Sequence, residues 1–396
     1  MILLDAGCFQ EKSYFNVEAI RAQDPLNADW QLGALPVINR NKDTDELIRL
    51  LQYLARQTKD VDIDTPEKAF AAMRDIGIVL GSLKRQGVEP VQAVPEVEQP
   101  LVELGAATNM IPRDTVHHYT SWNPVGARRR TYTGEPQEIW LQDAVVRVFP
   151  SLSASLAISD VLSTMSPHDV RFGPTVGMLH ESGRTMVEAI DSVTERVSPV
   201  FFAQVLRPYF EDVIVRGERY LGPAAAQAPL WLVDLCVWAS DRNQADYKTF
   251  LVESVHYSLP SWRAFYQRHC NDVSLVSKVT EALDACAGEP DGNLVRSATS
   301  LTELMTLLKV FRGRHIGIAR KAYAEEVALY AHGSGGAPVE LLRHILDLTR
   351  ENEHLMRERA SGMRRDQAAV QASTPPTAPA QDGERREEGV AYGEAA

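Results

Sequence analysis

The stretch LTELMTLLKVFRGRHIGIARKA, residues 301–322, decides the fold class of this chain. Its apolar side chains and one histidine recur at spacings of three and four residues, which places them on one face of a helix. The pattern predicts a long helix, extending to about residue 330, whose buried face carries an imidazole. The stripe consists of Leu301, Leu304, Leu308, Phe311, His315, Ile318 and Ala322.

The same helical period recurs along most of the chain, and strands are hard to find. The run Thr65-Pro66-Glu67 combines a cap, a first-turn proline and an early acid, so it predicts a helix that begins there and ends before Gly87. A helix from about residue 138 is expected to bend at Pro150, because proline removes a backbone donor. The fold class is predicted to be all-α. Further helices are expected over residues 45–56, from Pro174, and over 201–210, 230–239 and 338–359.

The domain organisation is marked by two changes in composition. Residues 88–112 hold several prolines and are interpreted as a connector between two helical domains. After residue 366 the chain is rich in Ala, Pro, Gln and Glu and nearly empty of large apolar side chains, which is typical of disorder. The sequence therefore predicts an N-terminal helical domain (1–113), a larger C-terminal helical domain (114–365) and a disordered tail (366–396).

Composition narrows the class of protein. The chain has 396 residues, 44% of them hydrophobic, and a net charge of −12 from 41 basic and 53 acidic residues. Nucleic acids and anionic membranes select clustered basic residues, so neither is expected as a partner. The four cysteines include no C-x-x-C pair, the N-terminus lacks a secretory pattern, and the apolar run 229–239 is too short to span a bilayer. A cytoplasmic location is expected.

His315 has two interpretations on the pattern alone. A lone histidine on an apolar helix face is most often a core residue, and the alternative is an axial ligand to haem iron. Arg312 lies one turn earlier on nearly the same face, where a guanidinium can meet a haem propionate. Eighteen residues after His315 comes the run Gly333-Ser334-Gly335-Gly336. Together these features favour a haem site. The adjacent His117 and His118 do not have the spacing of a helical zinc pair.

A series of short motifs, in order over residues 35–350, resembles the monodechloroaminopyrrolnitrin synthase family. That family is more distantly similar to indoleamine 2,3-dioxygenase, and the resemblance implies an indoleamine 2,3-dioxygenase-like helical fold. The N-terminal motifs match the synthase family, whereas F-R-x-x-H and G-S-G-G belong to the wider haem dioxygenase group. The motifs are INRNKD (38–43), AMRDIG (72–77), GSLKR (81–85), ATN (107–109), WNP (122–124), YTG (132–134), LRPY (206–209), YLGP (220–223), FRGRH (311–315) and GSGG (333–336).

The resemblance implies haem b as the cofactor. His315 is then the proximal ligand to the iron and the only metal-binding residue. Arg312 anchors a propionate, and Gly335 and Gly336 belong to the cofactor-binding set. On the residues alone, the glycine-rich run reads as a hinge that closes over a pocket or as a helix C-cap and linker.

The resemblance also implies a site for an aromatic amino acid. It places Phe202 against an indole ring and Arg207 on the substrate carboxylate, which a planar guanidinium can bind through two hydrogen bonds. A salt bridge at the surface or between helices is the alternative for Arg207. Ala224 and Ala225 are implied to line the distal face of the haem, although an alanine run is also ordinary helix-forming sequence.

Tyr323 and Ser334 are the implied catalytic residues. Ser334 offers a hydroxyl to the substrate or to dioxygen, and Tyr323 matches a tyrosine near the pocket, although it can equally pack in the core. The expected function is haem-dependent oxygenation of L-tryptophan or a chlorinated tryptophan, with dioxygen and an external reductant, leading to an aminophenylpyrrole. The alternatives are tryptophan 2,3-dioxygenase activity, which opens the indole ring, and a haem-binding protein without turnover.

Overall fold

The computed structural model describes residues 16–224, 227–324, 327, 329 and 338–373, with side chains in the last helix as far as residue 359. It confirms the all-α class: the only strands among these residues are β1 (Val213–Val215) and β2 (Glu218–Tyr220), an antiparallel hairpin. The α-helices are α1 (Val17–Ala22), α2 (Asp29–Gly33), α3 (Leu35–Asn41), α4 (Thr44–Asp60), α5 (Pro66–Arg85), α6 (Pro90–Ala93), α7 (Glu98–Thr108), α8 (Val116–Tyr119), α9 (Pro136–Thr164), α10 (Phe172–Arg196), α11 (Leu230–Asp234), α12 (Ala245–His256), α13 (Pro260–His269), α14 (Leu275–Asp284), α15 (Gly292–Ala322) and α16 (Val339–Ser373).

Local sequence signals set the ends of α5 as predicted. The Thr65 hydroxyl accepts a hydrogen bond from the Lys68 amide at 3.3 Å, and Pro66 occupies the first turn, where its missing N–H is not needed. Beyond the last turn Gly87 has φ of 75°, a left-handed conformation that favours glycine. Nearly all of the helix between these signals is buried, which makes α5 a central core helix.

Four long helices form a bundle in the C-terminal part of the chain. α10 packs against α9 and α15, and α15 packs against α16. Gly183 allows the close approach of α10 to α15, because a Cβ there would lie 2.8 Å from the Leu307 side chain. Residues from these helices and from α11–α14 form the bundle core, whose largest fully buried side chains include Trp238 and Trp262.

A separate N-terminal core is built mainly from α4, α5 and α7. It also includes residues from further along the chain, among them Tyr119, Tyr132 and the segment from Val197 to Val215. The chain therefore returns to the N-terminal core after building half of the bundle. The division at residue 113 stays a prediction, and this core takes in residues on both sides of it.

The segment 201–210, predicted as helical, departs from regular α-helix. Phe201–Leu206 forms a π-helix and Arg207–Phe210 a 3-10 turn, with Pro208 in the first turn of the latter. A second π-helix, Leu235–Ala239, continues α11. Single turns of π-helix often occur at functional sites, since they change the direction in which side chains point. α9 runs through Pro150 without interruption.

Two predicted helices have different ends in the structure. α15 begins at Gly292, where the Asp291 side chain caps it, and ends at Ala322, before the predicted limit near residue 330. α16 begins at Val339 and continues to Ser373, past the predicted start of the tail at residue 366.

One helix among the described residues is long and apolar enough to cross a membrane by length and composition alone. It is α9, whereas the sequence interpretation had considered only the shorter run 229–239. In the structure α9 packs against α10 and contributes Leu152, Leu156 and Leu162 to the bundle core, so here it has the contacts of a core helix.

Candidate haem and substrate site

His315 lies in the last third of α15, half-buried on the predicted apolar stripe. Its ring centroid is 5.9 Å from that of Phe311, one turn earlier, and no described residue forms a hydrogen bond with the imidazole. Burial, together with the positive charge of Arg312, lowers the pKa of His315. The ring is therefore neutral at neutral pH, which is the form that binds a metal.

These properties fit a haem iron, which takes a single imidazole from the protein on its proximal side. Among the described residues no three His, Cys, Asp or Glu side chains gather in a set that could hold a bare metal ion. His315 would thus serve alone, with a lone pair that no described donor occupies.

Arg312 is engaged inside the bundle core. Its guanidinium forms a buried ion pair with Asp234 and donates a hydrogen bond to the Thr349 hydroxyl at 2.6 Å. Asp234 also accepts hydrogen bonds from Tyr247 at 2.6 Å and from the Trp238 indole at 3.2 Å. These contacts are those of a structural ion pair that joins α15 to α11 and α16. Its contact with a propionate stays a prediction.

Arg207 begins the 3-10 turn Arg207–Phe210 and is buried. Its Nη1 atom lies 3.6 Å from Oε1 of Glu211, one turn later. An ion pair is therefore present, but within one segment and not at the surface or between helices. Phe202, in the preceding π-helix, is partly buried against the N-terminal core. Arg207 and Phe202 therefore stand on one short segment, which packs into the N-terminal core.

This segment also contacts the chain that follows α15. The Gln204 side chain donates a hydrogen bond to the Val327 carbonyl at 3.1 Å. Tyr323, half-buried, is the C-terminal cap of α15, and its amide donates to the Ala319 carbonyl at 2.8 Å. The contact brings the region after His315 to the segment that carries Phe202 and Arg207.

The small-residue loop meets the same segment from another side. A Cβ at Gly222 would lie 2.8 Å from the Phe210 carbonyl oxygen, so the loop backbone rests directly on the end of the 3-10 turn. Ala224 is buried. Ala225, Ser334, Gly335 and Gly336 lie outside the described residues. Described contacts thus link the segment 202–210 to Gly222 and to Val327.

The N-terminal motifs converge on a buried polar cluster outside this site. The carboxylate of Asp75 pairs with Arg74 at 2.8 Å and with Arg130 at 2.9 Å, and all three residues are buried. Burial acts to raise the pKa of Asp75, but the two guanidinium groups outweigh it and hold that pKa below its usual value. Nearby, the Asn39 amide donates to the Ser82 hydroxyl and to the Tyr132 carbonyl, at 3.1 and 2.9 Å.

His117 and His118 are buried beside this cluster. His117 lies among the rings of Trp122, Phe149 and Trp262, with centroids 4.5–5.1 Å away. The backbone amide of Thr115 donates to Nδ1 of His118 at 3.0 Å, and no described residue is a hydrogen-bond partner of either Nε2 atom. A cavity of about 10 Å³, room for about one water molecule, adjoins His118. Its other lining residues are Arg74, Ile78, Asp114, Tyr119, Asn123, Arg130 and Tyr132.

The polar cluster and the candidate site together contain motifs from nearly the whole chain. A match to a known protein family extends over a similar range. Residues 34–373 match the family model of monodechloroaminopyrrolnitrin synthase PrnB. The chain belongs to this family. The PrnB family consists of enzymes, oxygenases of pyrrolnitrin biosynthesis that act on tryptophan derivatives. The match begins at α3 and ends with α16, so it takes in the bundle core, most of the N-terminal core and every candidate site residue.

The sequence interpretation missed Asp234 as a partner in the PrnB-family fold. A signal was present, because Asp234 is the only charge in the apolar run 229–239 and Arg312 lies on the apolar face of α15. A lone charge in a buried segment requires a partner of opposite sign, since an unpaired buried charge is very costly. The sequence does not specify which buried acidic residue will form an ion pair with which buried basic residue.

Proposed function

We propose that this chain is a haem-dependent oxygenase that converts L-tryptophan or a chlorinated tryptophan to an aminophenylpyrrole in secondary-metabolite biosynthesis. The observation that carries the proposal is the convergence of the segment 202–207 with the loop at Gly222 and the chain after His315, through Gln204 and Phe210. Membership of the PrnB family supports a tryptophan-derived substrate. The reaction requires dioxygen and an external reductant and is assigned to the cytoplasm.

In this proposal His315 is the proximal ligand of haem b. Its neutral ring offers a nitrogen lone pair to the iron, and the apolar stripe of α15 limits access of water to that bond. When bound, the haem supplies an iron centre that binds and activates dioxygen. Arg312 helps to hold α15 in place through Asp234, and we retain a propionate contact as its second role. Gly335 and Gly336 complete the cofactor-binding set.

The substrate is held by its two ends. The Arg207 guanidinium binds the carboxylate, with Glu211 beside it to orient the side chain. Phe202 packs against the indole ring. Ala224 and Ala225 leave space on the distal side and carry no group that can act as a base. We assign the hydroxyls of Tyr323 and Ser334 hydrogen bonds to the substrate.

The test is an absorption spectrum of haem-reconstituted protein, reduced and then titrated with L-tryptophan. We expect a Soret band that shifts with tryptophan in the wild type and is lost or altered in His315→Ala. His354→Ala is the matched control, because His354 is an exposed histidine of α16 and its loss should leave the band unchanged. Protein without stoichiometric haem, or a band indifferent to His315, would contradict the proposal.

A further inference from the structure

The buried side chain of Gln227 holds the loop that begins at Gly222 by hydrogen bonds to the backbone of Gly222 and Ala224. Its Oε1 atom accepts hydrogen bonds from the Val116 amide at 2.8 Å and from the Ala224 amide at 3.4 Å, and its Nε2 atom donates to the Gly222 carbonyl at 3.1 Å. The amide thus uses both its acceptor and its donor on backbone groups. Only a side chain with both functions can make this set of bonds.

The same loop is held on its other side by backbone contact. A Cβ on Gly222 would lie 2.8 Å from the Phe210 carbonyl oxygen and 3.0 Å from its Cα. Phe210 ends the 3-10 turn that Arg207 begins. The distance between this turn and the loop is therefore set by direct contact of two backbones, which leaves little room for adjustment.

Arg113 joins the two ends of the intervening hairpin. Its buried guanidinium donates from Nη1 to the Glu211 carbonyl at 2.9 Å and to the Tyr220 carbonyl at 3.2 Å. Glu211 follows the turn and Tyr220 ends β2, just before the loop. Asp114 accepts from Arg113 Nε at 3.0 Å, which keeps the guanidinium charge compensated inside the protein.

We propose that Gln227 and Arg113 are positioning residues that fix the turn beginning at Arg207 relative to the loop containing Ala224. In the proposed function the substrate carboxylate is bound by Arg207 and its ring lies beside this loop, so the spacing of the two backbones controls how the substrate fits. This inference rests on the proposed function. Neither residue touches the substrate, and each acts through backbone groups that it holds. A displacement of about 1 Å in such a site can cost about 100-fold in activity.

The first experiment measures the dissociation constant of L-tryptophan from the Soret shift of reduced, haem-loaded protein. We expect Gln227→Ala to raise it about 10- to 100-fold while haem content and the band position without tryptophan stay at wild-type values. Gln227→Met keeps about the same size and removes the hydrogen bonds without placing a charge in the core, so it should show a comparable increase. This isosteric variant preserves the test if Gln227→Ala fails to fold.

Asn123→Ala is the matched control. Asn123 is another buried amide with three backbone bonds: it accepts from the Arg130 amide and donates to the carbonyls of Tyr119 and Arg130, at 2.8–3.0 Å. Its loss should lower stability to a similar degree and leave the dissociation constant within about twofold of wild type.

Two outcomes would overturn the inference, and they can be told apart. If tryptophan shifts the wild-type band and the Gln227 variants bind it as tightly as wild type, or no more weakly than Asn123→Ala, the positioning role is wrong and the proposed function stands. If haem-loaded wild type does not respond to tryptophan at all, the proposed function fails and this inference fails with it.

Discussion

At the scale of single residues, glycines decide how closely the segments approach one another. A Cβ on Gly81 would lie 2.4 Å from the Tyr132 hydroxyl and 2.6 Å from the Tyr209 carbonyl oxygen. Gly183 and Gly222 permit similar contacts between α10 and α15 and between the loop and Phe210. The rings of Tyr132 and Tyr209 stack at 4.4 Å against this part of α5. The glycines of the family motifs therefore serve packing as much as turns.

Gly81→Ala is expected to destabilise the protein by about 1–3 kcal/mol, because the new methyl group meets a backbone carbonyl that cannot move away. The matched control is Gly177→Ala in α10, where no neighbouring atom lies within 4 Å of the added Cβ. That change should stabilise by about 0.5–1 kcal/mol, through the better helix propensity of alanine. Urea unfolding midpoints measure both, and equal effects of the two substitutions would refute the packing argument.

At the scale of elements, α15 connects the candidate haem ligand to the rest of the bundle. Its first turn is capped by Asp291, whose side chain accepts hydrogen bonds from the Asn293 and Leu294 amides, each at 2.9 Å. The same carboxylate pairs with His168. His315 lies about 35 Å further along the helix axis, at 1.5 Å per residue. The cap therefore affects the stability of the helix but not the geometry around the imidazole.

Asp291→Ala should lower the free energy of unfolding by about 0.5–2 kcal/mol, the usual cost of losing a cap. Asp291→Asn keeps an acceptor for the two amides and should lose less. Chemical denaturation measures the difference, and haem content after reconstitution should be unchanged in both variants. Loss of haem in Asp291→Ala at temperatures where the protein stays folded would show that the two ends of α15 are coupled.

Local signals in the sequence predicted where many of the helices lie. They did not predict which distant residues would pair. Spacing and caps indicated α5 and α15 because helix formation depends on neighbours three and four residues apart. The π-helical turn at 201–206 could not be predicted, since apolar spacing that indicates a helix does not specify its hydrogen-bond pattern. Likewise the pairing of Arg312 with Asp234 brings together residues far apart in sequence. The motifs named the segments of the candidate site, but only the fold placed Gln227 and Arg113 between them.

At the scale of the whole molecule, two cores meet at a buried layer of charged and aromatic groups around α8. His117 belongs to the bundle side, among Phe149 and Trp262, and His118 lies beside the Arg74 and Arg130 cluster. Burial lowers the pKa of His117 to about 3, and burial also lowers the pKa of His118. Both rings are neutral in the folded protein, so folding is linked to pH at this layer.

The expected consequence is a loss of stability below about pH 6.5. There the two histidines become protonated in the unfolded chain but stay neutral in the folded chain. The stabilisation by each neutral histidine is complete above that pH and decreases as the pH falls. His117 alone should account for about 2 kcal/mol at pH 5, at about 1.4 kcal/mol per pH unit.

His117→Phe keeps a ring among its aromatic neighbours and removes the titration. The slope of unfolding free energy against pH between 6.5 and 5 should become shallower by about 1 kcal/mol per unit. His354→Gln, at an exposed site, should leave the slope as in wild type. An unchanged slope in His117→Phe would mean that another group controls the acid response.

The return of residues 197–215 to the N-terminal core has a consequence for how the protein is made. Val213 and Val215 are fully buried there, together with Leu206 and Phe210. A nascent chain that has emerged only through α7 lacks these side chains, so its apolar surface stays open while α9 and α10 are being synthesised. Domains that fold during translation usually close in order from the N-terminus. The N-terminal core therefore cannot close before residue 215 has left the ribosome.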